Sequence, residues 1–209
     1  MIPTQNIQNF LESVLPIFTK VFQEQTGIGD AIEWYLESTG SNIIESRFIH
    51  ACIAIELLND RFKKNNKQDE IFPDSQFEIL KKVIKSKLLK LSLDEDKLKE
   101  LRLKLPELNR PTQKSSLKKI YGTYKISYSD LFPEFEFVKI RNNIVHTGLS
   151  RDEIVTTDIP EAEFIDLIET YKKLIALLQR TLLGMLDYNG EFKDILYNWK
   201  LKEFKKKID

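Results

Sequence analysis

The chain has 209 residues, with 32 Lys and Arg balanced by 32 Asp and Glu, seven Gly, seven Pro, two His and one Cys. One Cys excludes a disulfide framework and reads as a reducing, cytoplasmic setting. Two His and one Cys argue against a Cys/His zinc site, and no apolar run approaches the ~18–20 residues of a membrane span.

The predicted elements are helical, as expected from a chain poor in Gly and Pro. Ile7, Phe10, Leu11, Val14, Phe18, Val21 and Phe22 repeat near a period of 3.6 and predict a helix over 4–25, kinked at Pro16. The start MIPTQNIQNF lacks the basic-then-apolar layout of a signal peptide. After Gly27 and Gly29, Asp30 is expected to cap a short helix ending near Gly40. Ile44, Phe48, Ala51, Ile55, Leu58 and Phe62 form one stripe of a long helix over 42–63. A polar loop at 64–70 leads to two Lys-rich helices, 75–91 and 94–105. Pro106, Pro111 and Gly122 punctuate a stretch without a clear assignment. A helix is expected over 132–147, stopped by Gly148. Asp158 and Glu161 read as a capping box. The helix they open, with Phe164, Ile168, Tyr171, Ile175, Leu178, Leu182 and Met185 on its stripe, is expected at the centre of the core. The last stretch, 188–209, reads as a helical, Lys-rich tail. No strand periodicity is evident. The fold class is all-α, an up-and-down helical bundle in a single domain over 1–209, with 64–125 as a variable helical insert and 200–209 as a basic tail.

Zero net charge argues against a polycation that holds nucleic acid by charge alone. The charge is uneven along the chain, however. Residues 1–59 carry a net −5, 60–120 a net +7, 121–199 a net −5 and 200–209 a net +3. The bland reading of the basic stretches is solvated helix faces. The sharper one is a surface for a polyanion, with Lys81, Lys82 and Lys85 as its candidate contacts.

The segment Arg141-Asn142-Asn143-Ile144-Val145-His146-Thr147-Gly148 fits a purely structural helix least well. At about 100° per residue, Phe137, Ile140 and Ile144 share an apolar stripe, and Arg141 falls inside it. A guanidinium there must reach a rim or pair, for example with Glu56, because an unpaired buried charge is expensive. Asn142 and His146 lie i,i+4 on the opposite, polar side. A histidine in the last helical turn is also favoured by the helix dipole, so a structural role fits it too. His50, flanked by Ile49, Ala51 and Cys52, reads as a structural histidine.

Arg141-Asn142-x-x-x-His146 resembles the signature of the HEPN superfamily (higher eukaryotes and prokaryotes nucleotide-binding): an arginine, a polar residue, then a histidine after four to six residues. Two further stretches resemble its Apea-like branch. They are Arg47-Phe48-Ile49 leading into Ala54-Ile55-Glu56, and Leu183-Gly184-Met185-Leu186-Asp187-Tyr188-Asn189-Gly190-Glu191-Phe192. The second departs from the branch in having Leu-Asp-Tyr where Leu-Gly-Tyr is more usual. The resemblance spans roughly 30–209.

The resemblance implies a metal-independent endoribonuclease with no cofactor, acting in phage defence or as a toxin. It implies that His146 transfers protons, that Arg141 holds the phosphate, and that Asn142 orients the ring or bonds the phosphate, with Glu56 and Asn143 supporting. It further implies RNA as substrate, a homodimer with a composite active site, and an inhibitory or activating protein partner. Two other readings remain open. One is a non-catalytic module of the same superfamily that binds RNA, a nucleotide or a protein. The other is a helical adaptor in which Arg141 is a core ion-pair partner of Glu56.

Overall fold

In the computed structural model, which describes residues 2–90, 94–147, 167–197 and 200–204, α3 (Ile44–Asn65) is the hub. It packs against α2 (Ile28–Gly40), α6 (Gln113–Thr123), α7 (Phe137–Thr147) and α8 (Leu167–Met185). Its buried side chains, Phe48, Ala51, Cys52, Ile55, Leu58 and Phe62, form one continuous stripe. Leu174, Ile175, Ala176, Leu177 and Leu178 of α8 are successive and all shielded from solvent. A run with no polar side is stable only where neighbours surround the helix, so α8 lies at the centre of an all-α bundle.

The remaining elements frame this core. α1 (Ile7–Gln23) runs through Pro16 as one helix and turns Val14 and Val21 inward. Its outer stripe, Ile7, Leu11, Leu15 and Phe22, stays exposed. α2 begins at Gly27, with φ +77°, rather than at Asp30, which lies in its first turn. Glycine suits this site twice over. A Cβ there would sit in strained backbone and collide with Leu57 and Arg61. The stretch without a clear sequence assignment holds a 3-10 helix (Leu105–Asn109) and α6, whose Thr112 side chain accepts from the Ser115 N–H at 3.2 Å. Leu117, Ile120 and Tyr121 of α6 are core residues, so the part of 64–125 that stands off the bundle is α4 (Asp74–Leu88) and α5 (Glu95–Lys104). Phe77 is the buried residue of α4, and α5 buries none.

Two further expectations are corrected. α7 begins at Phe137, five residues later than the periodicity indicates, because Phe135 takes a left-handed φ of +58°. The described part of the C-terminal stretch is two short strands flanking a 3-10 helix (Ile195–Tyr197), not a helical tail. β1 (Gly190–Asp194) pairs antiparallel with β2 (Lys200–Phe204), setting Phe192 opposite Lys202 and Gly190 opposite Phe204. Phe192 and Phe204 meet edge to face at 6.1 Å and are both buried, which anchors this ribbon to the core. Tyr188 donates to the Glu191 carbonyl at 2.9 Å, and a Cβ at Gly190 would collide with the tyrosine hydroxyl. The proposed cap at Gly148 and the capping box at Asp158 and Glu161 lie outside the described residues.

Candidate functional site

The motif helix α7 buries Phe137, Ile140 and Ile144, at i, i+3 and i+7, against the core. That fixes its rotation. Arg141 emerges at the edge of this stripe with 30% of its side chain exposed. Its Nη2 donates to Glu56 Oε2 at 3.1 Å, and its Nη1 donates to Asn142 Oδ1 at 3.1 Å. The guanidinium is therefore held from two sides, on a side chain that keeps 30% of its surface in solvent. Glu56, 28% exposed, sits on α3 where α7 crosses it. A pair shielded to this degree feels less screening than a surface pair, yet keeps much of its hydration.

The second Glu56 oxygen is also engaged. Gln113 at the start of α6 donates through Nε2 to Glu56 Oε1 at 3.1 Å. One turn further along both helices, Asn59 and Ser116 exchange hydrogen bonds at 2.7 and 2.9 Å. They are 3% and 2% exposed, so each polar group satisfies the other where water cannot. Both pairs are 57 residues apart in sequence. α3 and α6 thus run side by side in the same direction, joined by two polar rungs, and the first rung ends on Arg141.

Cys52 lies one turn before Glu56 on α3. Burial pushes its thiol well above the ordinary range, the Glu56 carboxylate adds to the rise, and Arg141 opposes it. A fully buried thiol of this kind is inert packing rather than a nucleophile.

Asn142 and His146 are exposed on the outer side of α7, and Asn143 is half-buried. His146 lies five positions after Arg141, about 7.5 Å along the axis at 1.5 Å per residue. A cleft of about 480 Å³ runs beside the helix, lined by Asn142, Asn143, Val138, Phe135 and the Lys114–Glu134 ion pair. His50 is elsewhere, on α3 against α2. Its ring lies 5.2 Å from that of Trp34, and its Nδ1 is shielded with no hydrogen-bond partner among the described residues.

The structure thus brings Arg141, Asn142 and Glu56 together, leaves His146 one turn away on the solvent side, and adds Gln113, which the sequence reading does not contain. The signal for it is faint: Glu56-x-x-Asn59 and Gln113-x-x-Ser116 are two polar pairs at the same i,i+3 spacing. Lys81, Lys82 and Lys85 are not part of this site. They lie on α4, where Lys81 pairs with Glu78 at 2.6 Å and sits 4.8 Å from the Phe77 ring centroid. This pairing holds the Glu78 carboxyl below its usual range. Among the described residues, no group of three or more His, Cys, Asp or Glu side chains is placed to hold a metal ion. No described helix is long and apolar enough to cross a membrane.

No curated protein and no solved structure matches the chain. A family model described as the YopA C-terminal domain matches residues 23–205, all of the chain from the end of α1 into the tail. The protein belongs to the YopA C-terminal domain family.

Proposed function

We propose that the protein is an endoribonuclease of the HEPN type, cutting RNA without a metal ion, as a homodimer in which two α7 motifs face one cleft. The observation that carries this reading is the arrangement on α7. A cation is fixed at the core edge with 30% of its side chain exposed, an exposed amide lies beside it, and an exposed imidazole follows one turn on. These groups match what self-cleavage of RNA requires. The 2′-oxygen bonds to the adjacent phosphorus as its proton passes to one His146, acting as base. The bond from phosphorus to the 5′-oxygen breaks as that oxygen takes a proton from a second His146, acting as acid. The products are a 2′,3′-cyclic phosphate and a 5′-hydroxyl. Arg141 faces the phosphorane and stabilises its charge through the N–H groups that Glu56 and Asn142 do not occupy. One chain offers a single imidazole on α7, so the second comes from another copy. The reading places the protein in the cytoplasm, in phage defence or as a toxin, with an inhibitory or activating protein partner.

The test is purified protein with single-stranded RNA in excess EDTA. Cleavage is expected from the wild type, and a loss of at least about 10²-fold is expected from His146→Ala. Cleavage that survives His146→Ala contradicts the assignment.

The Arg141–Glu56 ion pair specifically favours a second reading, a helical adaptor in which this pair is structural. It predicts that Arg141→Ala lowers the melting temperature of a protein that never cleaves RNA. A non-catalytic RNA-binding module would instead bind RNA without cutting it.

A further inference from the structure

We infer that Gln113 is a positioning residue for Arg141. The inference rests on the nuclease reading for its effect on activity, but its geometry stands independently. Arg141 can present a planar fork to phosphate only if the guanidinium is held in one orientation. Glu56 holds it through Oε2, but a carboxylate on a flexible stem turns about two side-chain bonds and its terminal torsion is soft. The Gln113 amide takes Oε1 at 3.1 Å and so fixes the plane of the carboxylate that Arg141 reads. Gln113 does not itself wander. Thr112 caps its helix, and Ser116, one turn on, is locked to Asn59 in the buried second rung. The chain of restraint therefore runs from α6 through Gln113 and Glu56 to Arg141, across three helices and without a buried unpaired group.

The segment that leads to Gln113 is anchored too. It opens the first helix after the α4–α5 arm, and the 3-10 helix just before it is tied to the base of that arm. Asn109 Oδ1 accepts from the Phe72 N–H at 2.8 Å, its Nδ2 donates to the Phe72 carbonyl at 3.0 Å, and its own carbonyl accepts from the Ile71 N–H at 2.7 Å. The segment leading into Gln113 is thus held at its start as well, which adds to the restraint on the amide.

Two readouts test the assignment. In nitrogen-15 NMR of the full chain, hindered rotation of the Arg141 guanidinium is expected in the wild type. Fast rotation is expected in Gln113→Ala, at a melting temperature within a few degrees. Rotation that remains hindered in Gln113→Ala overturns the inference. This measurement needs no RNA, so it decides the point even if the nuclease reading fails. In RNA cleavage, Gln113→Ala is expected to lower kcat about tenfold with KM nearly unchanged, because misorientation of a transition-state contact costs rate rather than ground-state binding. A rise in KM at constant kcat, or no change in either, counts against it.

Discussion

The junction of α3, α6 and α7 and the α4–α5 arm are built on opposite terms. At the junction, each charged or amide group that approaches the core meets a partner: Arg141 meets Glu56 and Asn142, Gln113 meets Glu56, and Asn59 meets Ser116. On the arm, Ile79 and Val83 are 65% and 51% exposed, and the ion pairs are short-range ones along a single helix. The first arrangement fixes orientation, as a reacting group needs. The second fixes little beyond local charge. Both regions are candidate RNA contacts from sequence, one by motif and one by basic composition, but the structure gives only the junction the preorganisation that chemistry uses. The arm can contribute attraction, which salt screens.

Substitutions in the two regions test this contrast. The largest effect is expected in the core that supports the junction. Leu178→Ala should cost about 3 kcal/mol in denaturant unfolding, because α8 is enclosed and the void cannot be filled from solvent. Ile79→Ala on the arm should stay within about 0.5 kcal/mol, and a comparable loss at both sites would erase the distinction. Arg141→Ala should lower cleavage by about 10²-fold. It should also lower stability by about 1 kcal/mol, since Glu56 loses its charged partner while keeping some hydration and the Gln113 bond. A large stability loss with unchanged cleavage would place the arginine on the structural side alone. The smallest effect is expected from Lys82→Glu with Lys85→Glu. RNA affinity should fall about tenfold in dilute salt, and the loss should shrink toward nothing at high salt, with melting temperature unmoved. A loss that persists in high salt would mean that the arm makes specific contacts.

The parts of this structure that were legible in sequence are those set by one helix at a time. The stripe of α3 and the edge position of Arg141 follow from a 3.6-residue period applied to apolar side chains, and the central place of α8 from the width of its apolar stripe, although Ile168 of that stripe is exposed. Where two signals compete, sequence reading fails. In 200–204, Lys200, Lys202 and Glu203 outweigh the alternation that pairs this strand with Gly190–Asp194, and the anchoring contact between Phe192 and Phe204 is twelve residues apart. At α7, Phe132 and Phe135 continue the apolar pattern upstream, but the left-handed turn at Phe135 breaks the helix where a period count cannot see it. Gly122, which reads as punctuation, lies within α6. The Glu56 partner of Arg141 was legible because both sit beside apolar stripes. Gln113 was not, because its role depends on two helices lying parallel and in register, a tertiary fact that leaves only a matched polar spacing in the sequence.

The central claim is that the α7 groups cut RNA by attack of its own 2′-hydroxyl. It is tested most directly by the ends of the fragments made by wild-type protein in excess EDTA. The ends expected are 2′,3′-cyclic phosphate and 5′-hydroxyl, absent from His146→Ala reactions. Fragments carrying 5′-phosphate ends, or intact RNA from a folded, dimeric wild type, would contradict it.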